Sequence, residues 1–80
     1  MIIEPRKIVR AARRLKEIPI VDFAKQARVS PFKFGEFERG RGTLNYSEQK
    51  AVAELLVKLC GGTVRDFFPN FIPRDGDNPQ

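Results

Sequence analysis

Histidine and tryptophan are absent from this chain, and cysteine, methionine and tyrosine occur once each. Without histidine, the side chain most often used as a general base near neutral pH is missing. A lone Cys60 excludes an internal disulfide and the paired-thiolate spacing of a zinc site. No glycine loop of the phosphate-cradling kind occurs, and no convincing pair of carboxylates. The expectation is therefore a protein that is not an enzyme and uses no cofactor and no metal. No apolar run approaches the roughly 20 residues that a membrane-spanning helix needs. The opening MIIEPRKIV is too short and too soon charged for a secretory signal. A soluble, cytoplasmic protein with no membrane partner is expected.

What is present is a moderate hydrophobic content, 41%, in 80 residues. That suits one small domain, which at this size buries only about 60% of its unfolded surface. Association of two copies would add to a modest stability. The net charge of +5 is unevenly placed. Residues 1–46 hold eleven Lys and Arg against five Asp and Glu, a balance of +6; residues 47–80 hold four against five, a balance of −1. A basic N-terminal half on a near-neutral remainder is what a polyanion-binding surface produces.

Hydrophobic periodicity reads as helix throughout and hardly anywhere as strand. RKIVRAARRLKEI predicts a helix over about 6–17, with Pro5 in its first turn and Ile8, Ala12 and Leu15 on its inner face. Ile20, Phe23, Ala24 and Ala27 follow the i, i+3, i+4, i+7 pattern of a second, short helix, with Asp22 favourably placed near its N-terminus. Ser30-Pro31 is a strong start signal for a third helix over about 31–38, and Gly40 a strong stop. Asn45 with Glu48 resembles a capping box for a fourth helix, with Ser47 as the rival cap. Its inner stripe is Val52, Leu55, Leu56 and Leu59, and Gly61-Gly62 ends it. Cys60 beside that stop reads as a small buried hydrophobe. Thr63 caps a last short helix, VRDFF, before Pro69. The fold class is all-α, one five-helix domain over 1–72, with 73–80 a disordered tail.

The stretch VSPFKFGEFERGRG, residues 29–42, carries three of the seven phenylalanines. At about 100° per residue, Phe34 and Phe37 share a helix face, whereas Phe32 lies about 160° from Phe34. Phe34 and Phe37 are core candidates. Phe32 is left beside Glu36 on the opposite side, unless it folds back on Arg28 or the first helix. Glu38 is expected to be structural, bonding to the second helix or the following loop. Arg13 with Glu17 makes an ordinary i, i+4 ion pair. No aromatic platform of the spacing used by single-stranded RNA modules appears.

FAKQARVSPFKFGEFERGR resembles the XRE or lambda-repressor-like (Cro/CI-type) helix-turn-helix family. The likeness runs through Phe23-Ala24, Val29-Ser30, Phe34, Phe37 and Glu38-Arg39-Gly40, continues into Val52-Ala53 and Leu55-Leu56, and closes at VRDFFP. It covers about residues 6–69. It implies a compact five-helix DNA-binding domain that dimerises on operator DNA, its third helix in the major groove. Family members are mostly transcriptional regulators, often repressors, common on phages and mobile elements.

The sequence departs from the family at Pro19 and Ile20, where a polar cap and Gln are common, and at Arg28, often Gly. The base-reading positions correspond to Pro31, Phe32, Lys33 and Glu36. Phe32 suits a thymine methyl, Lys33 guanine O6/N7 or a phosphate, and Glu36 cytosine N4, unless Glu36 only orients Lys33 or Arg39. Arg28, Arg39, Arg41, Thr43 and Asn45 are candidate phosphate contacts, which set register rather than sequence. Arg10, Arg13 and Arg14 are further candidates on the first helix. Phe67, Phe68, Phe71 and Ile72 are more apolar side chains than a chain end needs, and are candidates for core capping and a homodimer interface. The expected partner is double-stranded, palindromic operator DNA. The competing expectation is a protein-interaction module of the same fold, antitoxin- or antiactivator-like, binding a protein partner.

Overall fold

The computed structural model describes residues 4–72. They form five helices: α1 (Pro5–Leu15), α2 (Ile20–Ala27), α3 (Pro31–Arg39), α4 (Tyr46–Cys60) and α5 (Val64–Phe67). No strand occurs among the described residues. None of these helices is long and apolar enough to cross a membrane. The tail expectation for 73–80 falls outside the described residues.

α1 ends earlier than its periodicity suggests. Lys16 is its C-cap, and Glu17 then takes φ 56° so that the chain can turn back. The buried face is also rotated from the expected one. Val9 and Arg13 point inward, Ile8 and Ala12 flank them, and Leu15 is 78% exposed. The reason is electrostatic. Phe34, Phe37 and Glu38 share the inward face of α3, so a carboxylate enters the core and needs a cation. Arg13 supplies it: Nε donates to Glu38 Oε2 at 2.9 Å and Nη2 to Oε1 at 2.8 Å, a bidentate pair, while Nη1 donates to the Ile18 carbonyl at 2.7 Å. Arg13 therefore pairs with Glu38 rather than Glu17, and the partner of Glu38 is α1 rather than α2 or the loop. Arg6 adds a bond from Nη1 to the Glu38 carbonyl at 3.2 Å.

The α2–α3 connection is three residues, Arg28 to Ser30. Arg28 adopts the left-handed region, φ 59° and ψ 40°. The Val29 N–H donates to Ala24 O and the Arg28 N–H to Lys25 O, the paired bonds of a Schellman motif. Val29 is buried and completes the motif's apolar contact. Holding a non-glycine residue there costs about 1 kcal/mol, which the fully buried neighbours Phe23 and Ala24 offset.

Phe23 of α2 stacks on Phe34 of α3 at 5.1 Å between centroids, and Phe37 on Phe68 at 6.0 Å. Val52, Ala53 and Leu56 of α4 close the core. Gly40 ends α3 at φ 81°, a conformation that favours glycine; a Cβ there would lie 3.0 Å from the Arg6 guanidinium, which would have to shift slightly. The cap of α4 is Asn45, whose reciprocal bonds with Glu48 make a complete capping box. Cys60 is exposed, not buried: α4 ends at that residue, and Gly61-Gly62 lead the chain away without covering it.

Removing one partner of the buried pair should be costly. Glu38→Ala is expected to lower stability by about 3–5 kcal/mol, since it strands a guanidinium in the core. Arg13→Met with Glu38→Leu should lose far less. Urea unfolding midpoints of the three proteins check this, and equal losses for the single and double variants would refute it.

Candidate nucleic-acid interface

α3 buries Phe34, Gly35, Phe37 and Glu38 and turns the rest of its surface outward. Its sequence sets the order on that surface. Around the helix, Arg39, Phe32, Glu36 and Lys33 span an arc of about 120°. Phe32 is 77% exposed, so the fold leaves its ring largely uncovered. It sits in the first turn, where Ser30 caps the helix by accepting from the Lys33 N–H at 3.4 Å and Pro31 presets the backbone.

The charged members of the arc are already partnered. Lys33 Nζ lies 2.9 Å from Glu48 Oε1. Glu36 Oε1 lies 3.5 Å from Arg39 Nη1 and 3.0 Å from Arg41 Nη2. The backbone repeats this link, because the Arg41 and Gly42 N–H groups both donate to the Glu36 carbonyl. Glu36 thus ties the loop after α3 to the exposed helix face. Exposed Thr43 follows, and Leu44 anchors the loop in the core.

Glu48 has two tasks. Its Oε1 accepts from the Asn45 N–H at 2.8 Å, completing the α4 cap, and it receives the Lys33 ammonium. Partial burial pushes the Glu48 carboxyl up, but the Asn45 amide and Lys33 outweigh it and hold the carboxyl below its ordinary 4.5. Asn45 in turn uses its side-chain oxygen on the Glu48 N–H at 2.8 Å, so only its amide NH2 is left for a phosphate.

The sequence-predicted residues therefore divide. Pro31, Phe32, Lys33, Glu36, Arg39 and Arg41 lie together on or beside the α3 face. Arg28 is exposed at the turn preceding it. Thr43 and Asn45 lie in the loop leading to α4. Phe67, Phe68 and Phe71 stand apart: all three are buried within this chain, Phe71 stacking on Tyr46 at 5.0 Å. Of the four candidates for core capping or a two-fold interface, only Ile72, 75% exposed, is on the surface. The short α5 cannot cover the open side of the core alone, so the rings after it fold back to do so. Sequence reasoning missed the Lys33–Glu48 link. It joins residues fifteen apart on different helices, with no periodic signal. No family model, curated protein or solved structure matches this chain.

Glu48→Ala is expected to lower stability by about 1 kcal/mol near neutral pH, the usual size of a lost N-terminal cap. The folded carboxyl is lowered, so its contribution is complete above the unfolded value, near 4.5, and fades as pH falls through the folded one. The gap between wild type and variant should accordingly close in acid. Thermal unfolding across a pH series tests this, and a gap independent of pH would contradict it.

Proposed function

We propose that this chain is a sequence-specific DNA-binding transcriptional regulator, of the repressor kind, with a lambda-repressor-like helix-turn-helix fold. In this reading α2 and α3 are the helix-turn-helix, α3 enters the major groove, and the protein binds operator DNA as a dimer. The observation that carries it is Phe32. A large ring stands free in the first turn of a helix placed just after a tight left-handed turn, in the basic half of the chain. Burying such a ring requires a partner, and a thymine methyl in the major groove is an apolar one. Arg28, in the turn before α3, and Arg39 and Arg41, at its far end, are exposed cations suited to phosphate. Two copies would set their α3 helices about 34–36 Å apart. With Phe67, Phe68 and Phe71 internal, their interface has to use other surface, with Ile72 as one contributor.

A second reading has its own support. Lys33 and Glu36 are both ion-paired, which leaves Pro31 and Phe32 as an apolar tip that a protein partner would also fit. DNA is favoured because the basic excess lies in the same half.

The test is affinity for DNA upstream of the gene against scrambled DNA of the same length, over a salt series. Specific binding is expected to exceed non-specific by about 10³ or more, and a preference below about tenfold would rule out an operator-binding regulator. Phe32→Ala should weaken specific binding about tenfold or more while moving stability by no more than about 0.5 kcal/mol. Unchanged affinity with an intact fold would remove Phe32 from the interface. Sedimentation at several concentrations checks the dimer.

A further inference from the structure

We propose that Arg10 and Arg14 on α1 form a phosphate-contacting edge that continues the α3 face at Arg39. This rests on the DNA-binding reading above. On and after α3, Lys33, Arg39 and Arg41 face Glu36 and Glu48, so three cations against two carboxylates leave one net positive charge. That surface must exchange its own ion pairs before it can hold several phosphates. Arg10 and Arg14 need no such exchange, since neither has an ion-pair or hydrogen-bond partner for its side chain among the described residues.

Their position follows from α1 itself. Arg6 and Arg13 both reach Glu38, which fixes the flank of α1 that crosses the C-terminal end of α3. Arg10 lies between them along the helix, turned about 40° from Arg6 and 60° from Arg13 toward solvent, and Arg14 lies about 40° further round. Arg39 follows Glu38 in the chain and is exposed, its side chain turned about 100° from Glu38 toward Glu36. The two unpaired arginines also stand at i, i+4, where like charges repel along a helix. A polyanion laid along this edge would relieve that repulsion. The complementary ligand is the sugar–phosphate backbone of duplex DNA flanking the groove that α3 enters.

The experiment compares wild type, Arg10→Gln with Arg14→Gln, Arg14→Gln alone, and Lys58→Gln as a distant exposed cation. Each is titrated with the upstream duplex and with scrambled duplex across a salt series. The slope of log affinity against log salt should fall by about 1.8 for the double variant and about 0.9 for Arg14→Gln. Lys58→Gln should leave the slope unchanged. Specific and scrambled affinities should drop in the same proportion, because phosphate contacts carry no sequence information. Arg10 is half-buried, so the exposed Arg14 variant supplies the answer if the double variant does not fold. Folded variants with the wild-type slope would overturn the edge alone. An equal fall for Lys58→Gln would also overturn it, since any cation would then serve. Failure of wild type to bind duplex at all would overturn the functional reading, and this edge with it, before any substitution is considered.

Discussion

The buried pair of Arg13 and Glu38 is the constraint on which the arrangement of helices depends. Both charges lie in the core, bidentate, and Arg13 also satisfies the Ile18 carbonyl. A buried ion pair contributes little net energy against an apolar substitute, but it is unforgiving of geometry. Here it sets the rotation of α1, the crossing of α1 with α3, and the exit of the chain at Ile18 toward α2. Leu15 is put out to solvent as a consequence. The side of α3 opposite Glu38 becomes the exposed face, so the same pair determines where Phe32 and Glu36 emerge.

That exposed face is unusual in its balance. It presents one free aromatic ring, and its cations are matched by carboxylates from α3 itself and from the capping box of α4. Glu48 couples two features usually treated apart, the start of α4 and the position of Lys33. A polyanion approaching α3 therefore meets ion pairs that have to be exchanged. Such exchanges are cheap, because exposed pairs are worth at most about 1 kcal/mol. Among the described residues, unpaired cations stand at Arg28, in the turn before α3, and at Arg10 and Arg14 on α1.

Much of the architecture was legible in the residues. Ser30-Pro31, Gly40, the Asn45–Glu48 box and Gly61 punctuate the chain through local backbone chemistry, and each does what its type suggests. The stripes of α2 and α4 and the separation of Phe32 from Phe34 and Phe37 follow from helical period alone. The errors fall where period is ambiguous or where contacts are distant. α1 is so rich in arginine that two faces fit its apolar residues about equally well. Cys60 depends on how the chain packs after α4 ends, and so does the choice between core and surface for the rings that follow. Phe67, Phe68 and Phe71 look like spare hydrophobes in sequence, yet α5 is only four residues long and all three rings are buried in the core.

The five helices, their caps, the basic charge of the first half and the isolation of one ring on α3 are all legible in the residues. These are properties of neighbours within a few residues, set by capping, turn geometry and helical period. The packing of helix on helix settles which face of α1 is buried, that Glu38 takes Arg13, that Glu48 holds Lys33, and that the terminal rings turn inward. Each of those joins groups from different helices. The choice rests on where a buried charge can find its counter-charge and where the core still needs volume, and no local pattern encodes either.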